Sequence, residues 1–173
     1  MRNLISEIDL DRHLRTGHTR RYLLQCALAG LVVLILLLVL DAVTQTVLIA
    51  ALGASAYIAF AVPRSLHSDP RHLVGGYLIG MVAGSLMGGL QSALGVSGAA
   101  AAHAIVIAFG ALAISIAMFA MVVTRSEHPP AAALALGLVL NEWDILTLAV
   151  ILTGVIGLSI CKRLVLPMLM DLV

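Results

Sequence analysis

Charged side chains are scarce in this chain: Asp, Glu, Lys and Arg together make 11% of its 173 residues. Soluble domains carry roughly a quarter, so a solvated shell of charge cannot be built around a core of this size. Aromatic residues are also few, at 4%. The two cysteines, Cys26 and Cys161, lie inside apolar segments and offer neither a disulfide framework nor a metal-ligand spacing. They read as small packing residues. A phosphate-binding glycine loop and a nucleophile elbow are both missing. No catalytic residue, metal or cofactor is therefore expected, and an enzyme is not the expected class. No nucleic-acid partner is expected either.

What the chain does have is aliphatic bulk. Hydrophobic residues make 61% of it and the mean hydropathy is +1.09, a balance that fits a bilayer as solvent. Ala, Leu, Val and Gly do most of the filling, and small residues let helices approach closely in lipid.

Residues 1–21 are polar and basic, with Leu4, Ile5, Ile8 and Leu14 at loosely helical spacing. An interfacial amphipathic helix and a solvated tail both fit this cytoplasmic N-terminal segment. The run from Tyr22 to Leu40 is long for a signal core and reads as the first transmembrane helix. Further apolar segments follow at 46–62, 73–93, 99–123, 131–140 and 145–160, with polar breaks between them. The transmembrane domain is thus expected over 22–166, with a short tail at 167–173. If all six segments cross, every Lys and Arg falls on one face of the membrane. The other face carries Asp41, Glu142 and Asp144. The positive-inside rule then places both termini in the cytoplasm, as in a multi-pass protein of a bacterial inner membrane.

Two segments are too short for ordinary spans, since a helix needs roughly 20 residues to cross the hydrocarbon core. One is the stretch after Pro130. The other, 46–62, contains Gly53-Ala54-Ser55-Ala56, where a break in the helix is expected. Each is the second of a set of three. The expected fold is therefore an all-α polytopic protein of about six segments in two inverted three-segment halves, the second segment of each half short or broken. Such segments at matching positions point to a transporter's binding site.

His128-Pro129-Pro130 reads as a helix start, because proline lacks an N–H and fits the first turn. The N–H groups from Ala131 to Ala133 and the helix dipole are expected to face back toward His128 and to attract an anion. Gly53, Ala54 and Ser55 are the counterpart in the first half, with the Ser55 hydroxyl available to a ligand. Arg125 can concentrate anions near the entrance. Protonation of His128 can couple anion and proton movement. Gly76, Gly80, Gly84 and Gly88 recur every fourth residue, a small-residue stripe that predicts close helix contact, within the chain or between chains, with the former favoured. Trp143 falls where an interfacial anchor belongs. His103 is the one ionisable residue near the outer end of the fourth segment, and a packing role fits it best.

These residues resemble the HPP family of integral membrane proteins. The ordered set is Gly53-Ala54-Ser55-Ala56, then Pro63 and Ser65, Pro70-Arg71 with Gly75-Gly76, and Arg125 with His128-Pro129-Pro130. The resemblance covers roughly residues 20–165. It implies a small-anion transporter or channel, since the family includes cyanobacterial and plastid proteins regarded as nitrite transporters. The chain departs from the family pattern at Tyr77 after the glycine pair and at Ala131 to Leu134 after the prolines. The expected function is transport of a nitrite-like anion through a site near the bilayer midplane, and a homo-oligomer fits so small a chain. The rival expectation is a membrane adaptor that binds a cytoplasmic partner through its basic loops.

Overall fold

The structure is a computed structural model and describes residues 19–40, 46–95 and 99–172. The basic segment 1–18 and Asp41 lie outside the described residues, and so does the expectation of an amphipathic N-terminal helix. Among the described residues six α-helices follow one another: α1 (Thr19–Leu40), α2 (Thr46–Ala61), α3 (Pro70–Ala93), α4 (Ala99–Thr124), α5 (Pro129–Leu140) and α6 (Ile145–Val165). A 3-10 turn at Leu66–Ser68 joins α2 to α3, and a second at Leu166–Met168 follows α6. Helices suit this composition because every backbone N–H and C=O is satisfied within its own segment, which lipid demands.

Among the described residues three helices are long and apolar enough to cross a membrane, at Pro70–Ala93, Ala102–Thr124 and Ile145–Met168. The middle member of each set of three is the short one. α2 has 16 residues against 22 and 24 in its neighbours, and α5 has 12 against 26 and 21. At about 1.5 Å of rise per residue, α5 extends roughly 18 Å, well short of a hydrocarbon core about 30 Å thick.

α5 nevertheless lies at the centre. Ala131, Leu134, Ala135 and Leu138 are all buried, and its most extensive packing is against α3. The glycine stripe is the reason. A Cβ added at Gly80 would stand 2.3 Å from the Ala131 carbonyl oxygen, and one at Gly84 would stand 2.7 Å from the Ala135 oxygen. At Gly76 it would meet the His128 Cβ at 2.6 Å. Atoms do not approach so closely, so only glycine lets the two backbones touch. The stripe is a contact within the chain, which the spacing alone left open.

The helix ends are set locally. Pro70 opens α3 and Pro129-Pro130 opens α5, each after an extended residue. Asp144 caps α6 by accepting from the Thr147 N–H at 2.7 Å. α4 ends at Arg125, whose φ is +51°. The Ser126 N–H reaches back to the Met121 carbonyl at 2.9 Å, and the Arg125 N–H reaches the Val122 carbonyl at 3.2 Å. This is the left-handed closure that usually takes glycine.

The two ends of the bundle differ in charge. At one end Arg71 Nη2 donates to the Thr124 carbonyl at 2.9 Å, and the Arg64 N–H donates to Asp171 at 3.2 Å. This basic end gathers the 63–69 turn, the 124–128 loop and the end of α6. At the other end Trp143 Nε1 donates to the Leu138 carbonyl and Asn141 Nδ2 to the Gly137 carbonyl, both at 2.8 Å. A cleft of about 580 Å³ there is lined by Gly88, Gln91, Ser92, Asn141, Glu142 and Trp143. The grouping of ends matches the alternation read from the loops.

Candidate functional site

The start of α5 brings together residues from α2, α3 and the Leu66–Ser68 turn. His128, extended at the position before Pro129, is 1% exposed. Its Nε2 stands 2.8 Å from the Ser55 hydroxyl of α2, and its Nδ1 stands 3.0 Å from the carbonyl oxygen of His67. A carbonyl only accepts, so Nδ1 carries a proton and donates to it. Ser55 also donates to the Ala51 carbonyl at 2.9 Å and lies 2.9 Å from the Tyr77 hydroxyl of α3. The Tyr77 and His128 rings tilt against each other at 5.7 Å. Ser55 and Tyr77 are both fully buried.

Above this cluster, toward the basic end, the Leu66–Ser68 turn closes the space. His67 Nδ1 stands 2.9 Å from the Glu127 carbonyl, and His72 Nε2 stands 3.5 Å from the Glu127 carboxylate. Lys162 of α6 reaches the turn from the opposite side. Its ammonium donates to the Ser68 carbonyl at 3.0 Å and to the Ser68 hydroxyl at 3.2 Å, and the residue is 3% exposed. Among the described residues, no group of three or more His, Cys, Asp or Glu side chains is placed to hold a metal ion.

The expected site residues fare unequally. His128, Pro130 and Ala131 are buried at the cluster, while Pro129 is exposed. Ser55 joins them across 73 residues of sequence. Gly53 and Ala54 do not. Both are exposed, and α2 runs unbroken through them. Gly53 instead lines a lipid-side groove with Gln25, Tyr57 and Phe60. The expected break, and with it a second helix N-terminus, is absent. Small residues are common in membrane helices without interrupting them, and Ser55 bonds to the carbonyl four residues back, as a mid-helix serine does.

The expected free N–H groups after the prolines also need correction. Pro129 and Pro130 have none to offer. The Ala131 N–H donates to the His128 carbonyl at 2.9 Å, and Ala131 is sealed against the glycine stripe. What faces the cluster is the His128 ring and the positive end of the helix dipole. The depth differs too. His128 sits opposite Gly76, the seventh of the 24 residues of α3, so the site is nearer the basic end than the middle of the bundle. Arg125 is exposed, and His103 is exposed and apart from the cluster.

Several participants were not read from the sequence. Tyr77 departs from the family pattern, yet its place three residues before Gly80 and seven before Gly84 puts it beside the glycine stripe on the packed side of α3. Lys162 stands just past the last apolar run, where a lysine ordinarily reaches water. Gln25 was passed over within α1. It donates to the Phe60 carbonyl and to the Met170 carbonyl at 2.6 Å, and ties α1 to the C-terminal segment.

A family model described as "HPP, transmembrane region" matches residues 15–169. A transmembrane protein of Dictyostelium discoideum is 40% identical over 97 residues, which are 56% of this chain and 31% of that relative. The match thus covers about a third of the relative's length. No solved structure matches.

Proposed function

The chain belongs to the HPP transmembrane family, and from that premise we propose that it moves a small inorganic anion, nitrite or one of its size, across the membrane. One observation carries the reading: a half-length helix begins inside the protein at a buried cluster of hydrogen-bonding side chains. In apolar surroundings a polar group without a partner is costly, and in membrane proteins such clusters mark pathways for substrates or ions. The dipole of α5 favours negative charge at His128. Ser55, Tyr77 and His128 offer hydroxyl and imidazole donors of the kind a small oxyanion accepts from.

In this reading the basic end faces the cytoplasm of a bacterial cell, where Arg64, Arg71 and Arg125 raise the local anion concentration. A homo-oligomer fits so small a chain, whose outer helix faces are apolar and exposed, as at Phe119 and Ile145.

A second reading has one specific observation in its favour. A serine hydroxyl 2.8 Å from a histidine nitrogen, with the other ring nitrogen held by a carbonyl, is the arrangement of a nucleophile and its base. Against hydrolysis, Ser55 has no open space beside it. The helix start beside it also begins with two prolines, which give no N–H for an oxyanion hole. Transport explains the half-helix and hydrolysis does not.

The test is nitrite uptake into proteoliposomes, wild type beside His128→Ala, at neutral or slightly alkaline pH so that leakage of nitrous acid stays small. Saturable uptake that is lost in the variant supports the reading. Equal uptake in the variant removes His128 from the path, and protein-independent uptake removes nitrite as substrate. Labelling of Ser55 by a fluorophosphonate probe would favour the hydrolase instead.

A further inference from the structure

We propose that Lys162 is the fixed cation of the anion site, and that the Leu66–Ser68 turn keeps this site closed by lending it two backbone oxygens. The inference rests on the transport reading and names the charge that reading otherwise lacks. A buried ammonium requires a counter-charge or a full set of acceptors. Lys162 has no carboxylate within ion-pair distance among the described residues. The Asp69 carboxylate acts on it from farther away and is itself exposed. Of the three N–H donors on the ammonium, the structure gives acceptors for two, both on Ser68.

The neighbouring carbonyl, that of His67, is the acceptor for His128 Nδ1. Two donors from different helices therefore converge on consecutive carbonyls of one short turn. An imidazole N–H from the start of α5 meets one, and an ammonium from α6 meets the other. A small oxyanion offers the same donors two acceptor oxygens and adds the full negative charge that Lys162 is missing. The groups that face this place from the packed elements are His72 and Glu127, already paired with each other, and Ser55 and Tyr77 beneath His128.

The turn is built to leave. Its backbone bonds are internal: Ser65 N–H to the Val62 carbonyl, Ser68 N–H to the Ser65 carbonyl and Asp69 N–H to the Leu66 carbonyl, at 3.0 to 3.1 Å. The Ser68 hydroxyl likewise bonds within the segment, to the Pro63 and Ser65 carbonyls. Pro63 and Pro70 bracket it, so neither flanking helix can continue through it. Swinging it outward keeps those bonds and breaks the hydrogen bonds to Lys162, to His128 and from His67 to Glu127, together with the edge contact of the His67 ring on His72. Leu66, its outermost side chain, is 69% exposed. An anion that replaces the two carbonyls restores the two most buried of those contacts.

The experiment compares nitrite uptake by Lys162→Met and Lys162→Arg with wild type, and follows thermal unfolding of each in detergent. A fixed cation predicts no saturable uptake in Lys162→Met and retained uptake in Lys162→Arg. Melting of Lys162→Met should stay near that of wild type, since removing a buried charge offsets leaving the Ser68 carbonyl without its donor. Wild-type uptake in Lys162→Met overturns the assignment while leaving anion transport standing. A purely structural lysine would instead lower the melting temperature, with uptake falling only in step with folded protein.

Should Lys162→Met fail to fold, a second readout decides. Ser68→Cys is placed in a background with Cys26→Ala and Cys161→Ala and labelled with a membrane-impermeant thiol reagent. Saturating nitrite should raise the labelling rate on the order of tenfold as the turn is displaced, and an unchanged rate overturns the closed-turn proposal. Absence of uptake by the wild type for nitrite and for other small anions would overturn the transport reading and this inference together.

Discussion

The Ser55 hydroxyl stands 2.8 Å from His128 Nε2 and 2.9 Å from the Ala51 carbonyl, yet it has one proton for these two acceptors. A neutral His128 already uses its Nδ1 proton on the His67 carbonyl. The Tyr77 hydroxyl must then donate to Ser55. Hydrogen-bond satisfaction at this buried cluster is thus short by one proton, and the residues around this deficit are those whose substitution is most informative.

Replacing His128 by Ala removes the group that joins α2, α5 and the 66–68 turn. The His67 carbonyl loses its donor, which costs about 1–3 kcal/mol for a buried unsatisfied group. The protein should still fold, because the glycine stripe and the Leu134–Leu138 core do not involve the ring. Saturable uptake should vanish, and the loss of stability should read as a lower melting temperature in detergent.

The glycines divide into two groups with opposite outcomes. Gly80→Ala would drive a Cβ into the Ala131 carbonyl, so α5 must shift, and expression of folded protein should fall sharply. Gly53→Ala meets nothing within 4 Å. It should be neutral, or stabilising by up to about 1 kcal/mol through helix propensity. Thermal unfolding of the two purified variants checks both, and a damaging Gly53→Ala would reinstate the break that α2 does not show.

The same contrast shows what the sequence could carry. A spacing of four residues is a property of one helix, so the stripe and its use as a contact face were legible. The His-Pro-Pro start was legible because proline chemistry is local. Gly53 misled because glycine permits a break without requiring one, and only the neighbouring helices decide. The role of Lys162 was hidden for a different reason. A basic pair ending an apolar run normally reaches water, and this lysine is buried only because a turn nearly a hundred residues earlier folds over it. The Ala131 N–H shared that fate: its partner is one hydrogen bond away, but its burial depends on α3.

Arg125 holds a left-handed backbone conformation, which costs a non-glycine residue roughly 1–2 kcal/mol. Arg125→Gly should therefore raise stability by about 1 kcal/mol. Its side chain is exposed, so any contribution to transport is through long-range attraction and is screened by salt. Uptake by Arg125→Gly should fall below wild type at low ionic strength and approach it at high. A defect that persists in high salt would assign Arg125 a direct contact with the anion.

At the opposite end, the Thr147 N–H and hydroxyl hold the Asp144 carboxyl below its ordinary value. A depressed carboxylate stabilises the folded state above the unfolded-chain value, and that contribution is lost as pH falls through the folded one. Stability from this cap should be complete at neutral pH and decline only in acid, below the usual carboxylate range. Asp144→Asn should lower the melting temperature at pH 7 and flatten its dependence on acid. A parallel acid profile in the variant would place that dependence elsewhere.

The proton deficit at Ser55 leads to the most demanding prediction. With a second proton on the ring, Nε2 donates to Ser55, Ser55 donates to Ala51, and Tyr77 donates to Ser55, so every contact is made. Such a ring is a buried cation beside Lys162, and the protein gains it without a net charge only when an anion arrives with the proton. Nitrite uptake should therefore acidify the lumen of proteoliposomes loaded with a pH-sensitive dye, beyond the nitrous acid leak seen in protein-free vesicles. Tyr77→Phe leaves the deficit in place but deprives Ser55 of a donor, so it should slow uptake while keeping the proton signal per anion. Uptake that is saturable and electrogenic, with no proton signal above the leak, would mean that His128 stays neutral throughout, and that the anion's charge is balanced by Lys162 alone.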